Sequence, residues 1–174
     1  MDDAAVVTRQ LGRAPRAFRR VVVRCPFGWP AVTEQEAYDE DGKPFPTTYW
    51  LTCPHLVAAV SRLEAAGGVE RWSRAVRHDP ELAESLDRAT DEQRTVRREL
   101  ARRELVRREP AGGHTTDDGS ASLELGIGGS SRQGSLKCLH AHVAFALARP
   151  GYIVGERILA EVEAPWPADD CCSA

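Results

Sequence analysis

The chain between Asp79-Pro80 and Pro110 contains neither glycine nor proline, so no residue there interrupts a helix. An aspartate cap followed by a proline at the first helical position predicts one helix over about 80–109. Its seam alternates between spacings of four and three residues, a heptad pattern with one polar member: Leu82, Leu86, Ala89, Gln93, Val96 and Leu100. We expect this helix, on the order of 45 Å long, to pack within the monomer. Its length also permits a coiled-coil partner or a homodimer.

The N-terminal part of the chain favours β-structure after one short helix. The first aspartates and Gly12 predict a helix within residues 1–12. The β-branched run Phe18–Arg24 suits a strand. The Asp-Gly step at residues 41–42 predicts a tight turn between two further strand candidates, Val32–Tyr38 and Thr47–Thr52. These segments predict a small antiparallel sheet that consists of the N-terminal strand and a hairpin.

Helix signals also occur through the rest of the chain. Caps and apolar periodicity predict four more helices, from Pro54 to Gly67, Val69 to Arg77, Ser135 to Leu147 and Tyr152 to Val162. We therefore predict one α+β domain, mostly helical, over residues 13–163. The polar, Gly- and Ser-rich stretch over about 111–122 is predicted to be a mobile loop, and residues 164–174 a disordered tail.

Charge and hydropathy argue against two functional classes, nucleic-acid-binding proteins and membrane proteins. The 23 basic and 26 acidic residues give a net charge of -3, which argues against a nucleic-acid partner, since nucleic-acid-binding domains are usually basic. No apolar run reaches membrane-spanning length, and the N-terminus lacks a signal-peptide pattern. We therefore expect a cytoplasmic protein without a membrane partner. In that reducing compartment, the five cysteines are expected to be buried thiols, metal ligands or redox groups rather than disulfides.

Cysteine and histidine residues occur in proline- or glycine-bounded segments and suggest a metal site. Thiolate and imidazole suit zinc first and an iron–sulfur cluster second. The predicted ligands are Cys25, Cys53, Cys138 and His140, with His55 or His142 as alternatives to His140. A helix that starts at Ser135 would place Cys138 and His142 one turn apart, whereas a later start would let Cys138 and His140 bind together from an extended segment.

Two other interpretations of the cysteines remain open. They can be small buried hydrophobic residues. Alternatively, Cys53 can be a reactive thiol, because a helix N-terminus lowers the pKa of a thiol.

A glycine-rich loop precedes Cys138. Gly129 and Gly134 have the spacing of a phosphate-binding loop, but the Lys-Ser/Thr pair that should follow is missing. Backbone N–H groups near a helix start, with basic side chains beside them, attract anions. The predicted ligand-binding residues for a phosphorylated small molecule are Gly128, Gly129, Arg132, Gly134, Ser135 and Lys137. The alternative is an ordinary connection that needs glycine only for its turns.

Three motifs occur in order: Cys25-Pro-Phe-Gly-Trp-Pro30, the segment 44–54 (PFPTTYWLTCP), and Lys137-Cys-Leu-His140. With them the chain resembles, from about Leu11 to Val162, the bacterial family known as domain of unknown function 501. The resemblance implies a mainly actinobacterial family without an established activity. Its genes often lie near those for enolase, a septum-formation initiator and an exopolyphosphatase, which favours a phosphate-related ligand. It also implies a role for the motif residues Cys25, Cys53, Cys138 and His140, but it does not assign a reaction.

Overall fold

The computed structural model describes residues 2–108, 124–132, 134–162 and 165–167. This part of the chain contains three strands, β1 (Phe18–Arg24), β2 (Pro30–Gln35) and β3 (Tyr49–Leu51). It also contains six α-helices: α1 (Asp3–Leu11), α2 (Pro54–Ala65), α3 (Gly68–His78), α4 (Pro80–Arg108), α5 (Leu139–Ala148) and α6 (Ile153–Ala160). The predicted α+β class, mostly helical with a small antiparallel sheet, is confirmed. The predicted loop over 111–122 lies outside the described residues, as does most of the tail over 164–174.

The sheet has the strand order β1-β2-β3, and both pairings are antiparallel. The hairpin turn forms at the predicted Asp-Gly step, where Asp39 Oδ1 accepts hydrogen bonds from the backbone N–H groups of Asp41 at 3.1 Å and Lys43 at 2.9 Å. Every residue of β2 is buried, because β2 lies between two strands and contacts both α1 and α5. The strands of the hairpin are shorter than predicted, because irregular backbone separates β2 from the turn.

Helix α5 lies at the centre of the hydrophobic core. Leu139, Val143, Ala144 and Phe145 are at most 1% exposed, and the helix packs on β3, α2 and α6. Its contact with α6 is very close, since a Cβ added at Gly155 would lie 2.4 Å from the carbonyl oxygen of His142.

The predicted start of α5 at Ser135 is wrong. The helix begins at Leu139, and Cys138 is its N-cap residue in an extended conformation, with φ -156° and ψ 122°. A tertiary contact explains the delay. Ser73 Oγ accepts a hydrogen bond from the backbone N–H of Leu136 at 3.0 Å, which holds this residue on α3 outside the helix.

The long helix α4 has the predicted start. Asp79 Oδ1 caps it by accepting from the backbone N–H of Glu81 at 3.0 Å. Its heptad seam packs within the monomer, as predicted: Leu82, Leu86, Ala89, Gln93 and Leu100 are all buried, and the helix contacts α3 and α6. Across the described ranges, no helix has both the length and the apolar character that a membrane span requires.

Candidate functional site

The first turn of α5 meets the last turn of α2 through one carboxylate. Glu64 Oε1 accepts a hydrogen bond of 2.6 Å from the backbone N–H of Leu139. The first N–H groups of a helix have no partner within the helix and need one from a side chain, water or another element. Cys138, the N-cap residue, provides no side-chain cap, and Glu64, far away in the sequence, binds the N–H of the first helical residue. This contact brings Glu64 next to Cys138 and His140.

These three side chains form a compact group. The Nδ1 atom of His140 lies 3.1 Å from Glu64 Oε1 and 3.6 Å from Cys138 Sγ. One ligand atom from each residue lies within 4.8 Å of the other two. Among the residues that the structure describes, this is the one group of three or more His, Cys, Asp or Glu side chains with such geometry. Glu64 and His140 are partly exposed, with 27% and 20% of their side-chain surfaces accessible.

The orientation of His140 is fixed by its other ring nitrogen. Nε2 lies 3.1 Å from the backbone oxygen of Val57 and 3.1 Å from Ser61 Oγ. A carbonyl oxygen can only accept, so Nε2 carries the proton. Nδ1 is therefore the ring atom directed at Glu64 and Cys138.

The surroundings of His140 favour the protonated, positively charged form of its imidazole ring when no metal is bound. The hydrogen bond with Cys138 is the largest cause, and the Val57 carbonyl and the Glu64 charge act in the same direction against burial. Together they raise the pKa of His140 to about 9. An incoming cation must displace the Nδ1 proton before it can bind there.

The structure separates the predicted metal ligands. Cys138 and His140 belong to the group, which matches the alternative in which α5 starts late and the two bind from an extended segment. Cys25 and Cys53 do not belong to it. They are 4% and 0% exposed and lie in the main hydrophobic core. The predicted set of four is therefore not assembled.

The two alternative histidines, His55 and His142, also lie outside the group. His142 follows His140 by two residues on α5, so it points to the other side of the helix. Glu64 was missed by the sequence analysis because it lies 75 residues before Leu139. An ordinary helical glutamate carries no sequence signal for such a contact.

The glycine-rich loop differs from a phosphate loop in its relation to the helix. It folds on itself, since the Gly126 N–H donates to the Ser130 oxygen at 2.8 Å and Ser130 Oγ donates to the Ser135 oxygen at 3.0 Å. It does not continue into α5, whose first N–H is already bound by Glu64. Its glycines serve the turn and the packing. Gly128 has φ +69°, and a Cβ there would lie 3.2 Å from the Ala141 Cβ.

The loop forms one wall of a cavity of about 510 Å³, and α4 forms another. Three of the six predicted ligand-binding residues line this cavity: Arg132, Gly134 and Ser135. The other three, Gly128, Gly129 and Lys137, are not among its lining residues. The loop therefore forms a wall of a cavity and is not a phosphate-binding loop at the N-terminus of a helix.

Comparison with known proteins identifies a family but no characterised relative. A family model described as "Protein of unknown function (DUF501)" matches residues 21–160, a range that contains Glu64, Cys138 and His140. No match was found among curated proteins or among solved structures. The match covers well over half of the chain and agrees with the resemblance carried by the three sequence motifs. The chain therefore belongs to the family described as Protein of unknown function (DUF501).

Proposed function

We propose that this protein binds a zinc ion through Cys138 Sγ, His140 Nδ1 and the carboxylate of Glu64. The observation that carries the proposal is the convergence of three different ligand atoms within 4.8 Å of one another at the start of α5. Thiolate, imidazole and carboxylate are all common zinc ligands.

The distances in the group fit a shared metal. Zinc bonds of about 2.3 Å to sulfur and 2.0 Å to nitrogen, at a tetrahedral angle, separate the two ligand atoms by about 3.5 Å. The Cys138 Sγ to His140 Nδ1 distance is 3.6 Å. A zinc ion therefore needs little movement of these two side chains.

The contacts behind His140 also favour a ligand role. Metal-binding histidines usually donate their second ring N–H to a carbonyl, a carboxylate or water, which fixes the tautomer and the ring orientation. The Nε2 contact with the Val57 oxygen provides this support. Because iron–sulfur clusters are held mainly by several thiolates, a group with one cysteine favours zinc over such a cluster.

The donor set leaves a coordination position open. Three protein ligands are typical of zinc sites that hold water or substrate in the fourth position, whereas structural sites usually close with four. The half-buried setting at the protein surface fits such an open site. When bound, zinc would act there as a Lewis acid that polarises a bound oxygen.

A structural explanation competes with the metal. Glu64 caps α5, and an imidazolium on His140 forms an ion pair with it. This arrangement needs no cation, so the two explanations differ in what happens when metal is added.

Cobalt(II) provides a spectroscopic test, because it replaces zinc and reports its ligands. The wild-type protein is expected to show one thiolate-to-cobalt charge-transfer band in the near ultraviolet and the intense visible bands of a tetrahedral ion. Cys138→Ala should lose the charge-transfer band, and His140→Gln should weaken binding. The matched control is Cys25→Ala, which removes a thiol outside the group and should leave the spectrum unchanged. A wild-type spectrum identical to that of aqueous cobalt would refute the proposal.

A further inference from the structure

A groove separates strand β1 from the C-terminal part of helix α4. It has a volume of about 800 Å³. Its walls are formed by side chains of both elements: Arg19 and Arg20 of β1, and Leu100, Arg102, Arg103 and Val106 of α4. Four of these side chains are exposed, so the groove is open to solvent: Arg20, Arg102, Arg103 and Val106. The proposed zinc ligands do not belong to this lining.

An irregularity in β1 explains why two successive arginines reach the groove. Neighbouring side chains on a regular strand point to opposite faces of the sheet, but the pairing of β1 with β2 shifts its register between Phe18 and Arg20. Such a bulge redirects a side chain. As a result Arg19 and Arg20 both donate to Glu34 Oε2, at 2.5 Å and 2.7 Å. One buried carboxylate therefore holds two guanidinium groups at the wall of the groove.

The lining of the groove has more positive than negative groups. It contains four guanidinium groups and one carboxylate, Glu36, which lies 3.7 Å from Arg19. Arg20 binds Glu34 through Nε, so this contact leaves its two terminal nitrogens for another acceptor. The wall formed by β1 therefore still offers N–H donors to an anionic group in the groove.

The wall formed by α4 offers further donors. Arg102 forms no ion pair or hydrogen bond with any residue in the described ranges. Arg103 lies 3.7 Å from Glu99, one turn earlier on the same helix, and both side chains are more than half exposed. Exposed ion pairs of this kind contribute little free energy, so Arg103 can exchange Glu99 for a carboxylate of a partner at little cost.

The remaining surface of the groove is apolar. Leu100 is 4% exposed, so it lies at the bottom. Val106 is 64% exposed, the highest value among the large hydrophobic side chains of the described residues. The two lie about 9 Å apart along the helix axis, since they are six residues apart. An apolar centre with a charged rim is typical of a protein–protein contact.

The charge of α4 argues against a second copy of this chain in the groove. Residues 97–108 contain six arginines and two glutamates. Two copies that met through this surface would bring guanidinium groups against guanidinium groups, and such like-charge contacts oppose association. The groove is therefore complementary to an acidic partner and not to itself.

The lining also favours one class of acidic partner. It contains no aromatic ring on which a nucleic-acid base could stack, and a phosphate chain has no apolar group for Leu100 and Val106. An extended peptide would have to pair with β1, the edge strand of the sheet, but the register of β1 shifts at three points. Bulged edges disfavour strand addition. A helix needs no backbone pairing and presents apolar and acidic side chains together.

We propose that this groove binds an acidic amphipathic helix of a partner protein. The apolar face of that helix contacts Leu100 and Val106, and the carboxylates beside this face accept hydrogen bonds from Arg20, Arg102 and Arg103. The interaction is independent of zinc, because it uses none of the residues of the metal group.

Fluorescence anisotropy with the full chain and labelled peptides tests the proposal. The probe is a peptide of about 14 residues, roughly four helical turns, with leucines on one face and glutamates on the flanking positions. One comparison peptide has lysine in place of every glutamate, and another has the same composition in scrambled order. The acidic amphipathic peptide is expected to bind more tightly than either, and its binding should weaken as salt screens the charges.

Substitutions in the groove should locate the binding. Arg102→Glu and Arg103→Glu should each weaken binding of the acidic peptide by about tenfold or more, because each replaces an attraction by a repulsion. Val106→Gln should weaken it by about tenfold through loss of apolar contact. The double variant Arg102→Glu/Arg103→Glu should bind the lysine peptide more tightly than the wild type does. All three residues are exposed, and circular dichroism shows whether the variants are folded.

Two substitutions on the same helix are matched controls. Arg88 pairs with Glu84 at 3.7 Å with the same spacing as the Arg103 pair, but it lies outside the groove lining. Leu105 is 42% exposed and also lies outside the lining. Arg88→Glu and Leu105→Gln should therefore bind the acidic peptide as the wild type does.

Four results would overturn the proposal. The first is that the acidic peptide binds no more tightly than its scrambled form. The second is that Arg102→Glu, Arg103→Glu and Val106→Gln bind it as the wild type does, which would place the peptide elsewhere. The third is that a DNA oligonucleotide binds and the peptide does not. The fourth is a dimer in light scattering that Val106→Gln dissociates, which would assign the groove to a second copy.

Discussion

The carboxylate of Glu64 accepts a 2.6 Å hydrogen bond from the backbone N–H of Leu139 and joins the end of α2 to the start of α5. The same oxygen lies 3.1 Å from His140 Nδ1. One side chain thus supports both the helix and the candidate metal group. The two roles can be separated, because an amide oxygen can cap a helix but is a much weaker zinc ligand than a carboxylate.

We expect Glu64→Gln and Glu64→Ala to differ in stability and to agree in metal binding. Both variants lose the ion pair with His140, but glutamine keeps an acceptor for Leu139, so alanine should lower the free energy of unfolding by about 1 kcal/mol more than glutamine does. Both changes remove the carboxylate and should weaken zinc binding by tenfold or more. Urea denaturation of the metal-free proteins and competition with a chromophoric chelator measure the two effects. Full zinc affinity in Glu64→Gln would exclude Glu64 as a ligand.

Glu34 is expected to make stability depend on acid pH. Burial alone would raise the pKa of this carboxyl, but hydrogen bonds and charge from Arg20 and Arg19, at 2.7 Å and 2.5 Å, outweigh it and hold the pKa below its usual value. The native state therefore binds this proton less readily than the unfolded state does. The resulting stabilisation is present above the unfolded-state pKa and is lost as the pH falls through the lower native value.

Glu34→Gln should remove that part of the acid dependence. At neutral pH the variant should lose on the order of 2 kcal/mol, because Arg19 and Arg20 keep their charges without the buried partner. Below the native pKa of Glu34 the two proteins should converge in stability. Urea denaturation at a series of pH values measures this, with Glu70→Gln on the exposed surface of α3 as the control. Parallel pH profiles for the wild type and Glu34→Gln would contradict the assignment.

Arg97 is a buried cation whose removal should stabilise the protein. Its side chain is fully buried in α4, and all three guanidinium nitrogens lack hydrogen-bond partners among the described residues. Burial lowers its pKa to about 10, which means that the folded state disfavours the charge. Arg97→Met retains an apolar chain of similar length and should raise the free energy of unfolding by about 1–3 kcal/mol.

Thermal and urea denaturation measure the effect of Arg97→Met. The control is Arg88→Met on the exposed side of the same helix, which should change stability by less than about 0.5 kcal/mol. Lower stability in Arg97→Met would show that the guanidinium makes a favourable interaction in the folded chain.

The sequence correctly predicts the structural elements whose boundaries depend on neighbouring residues. Asp79 and Pro80 define the start of α4, and the Asp41-Gly42 step defines the hairpin turn, because caps and turns depend on neighbouring residues. The sequence pattern shows that Gln93 is a polar residue in the apolar seam, but it does not predict the contact that this side chain makes. Its side chain donates to the Leu125 backbone oxygen at 3.3 Å and fastens the chain beside the cavity to α4.

The candidate sites depend on contacts that are distant in sequence. Ser73 holds Leu136 outside α5, so the local prediction of a helix start at Ser135 failed. Glu64 belongs to the candidate metal group because of another contact between residues distant in sequence, its hydrogen bond with Leu139. Cys25 and Cys53 resembled ligands because a thiol that packs in a core and one that binds metal have the same local sequence pattern.

The most direct measurement is the zinc content, by plasma mass spectrometry, of tag-free protein purified without oxygen and loaded with one equivalent of zinc before desalting. The proposal predicts one zinc per chain in the wild type and in both Cys25→Ala and Cys53→Ala. It predicts little or none in Cys138→Ala. Zinc retained in Cys138→Ala, or absent from the wild-type protein, would contradict a metal site at the start of α5.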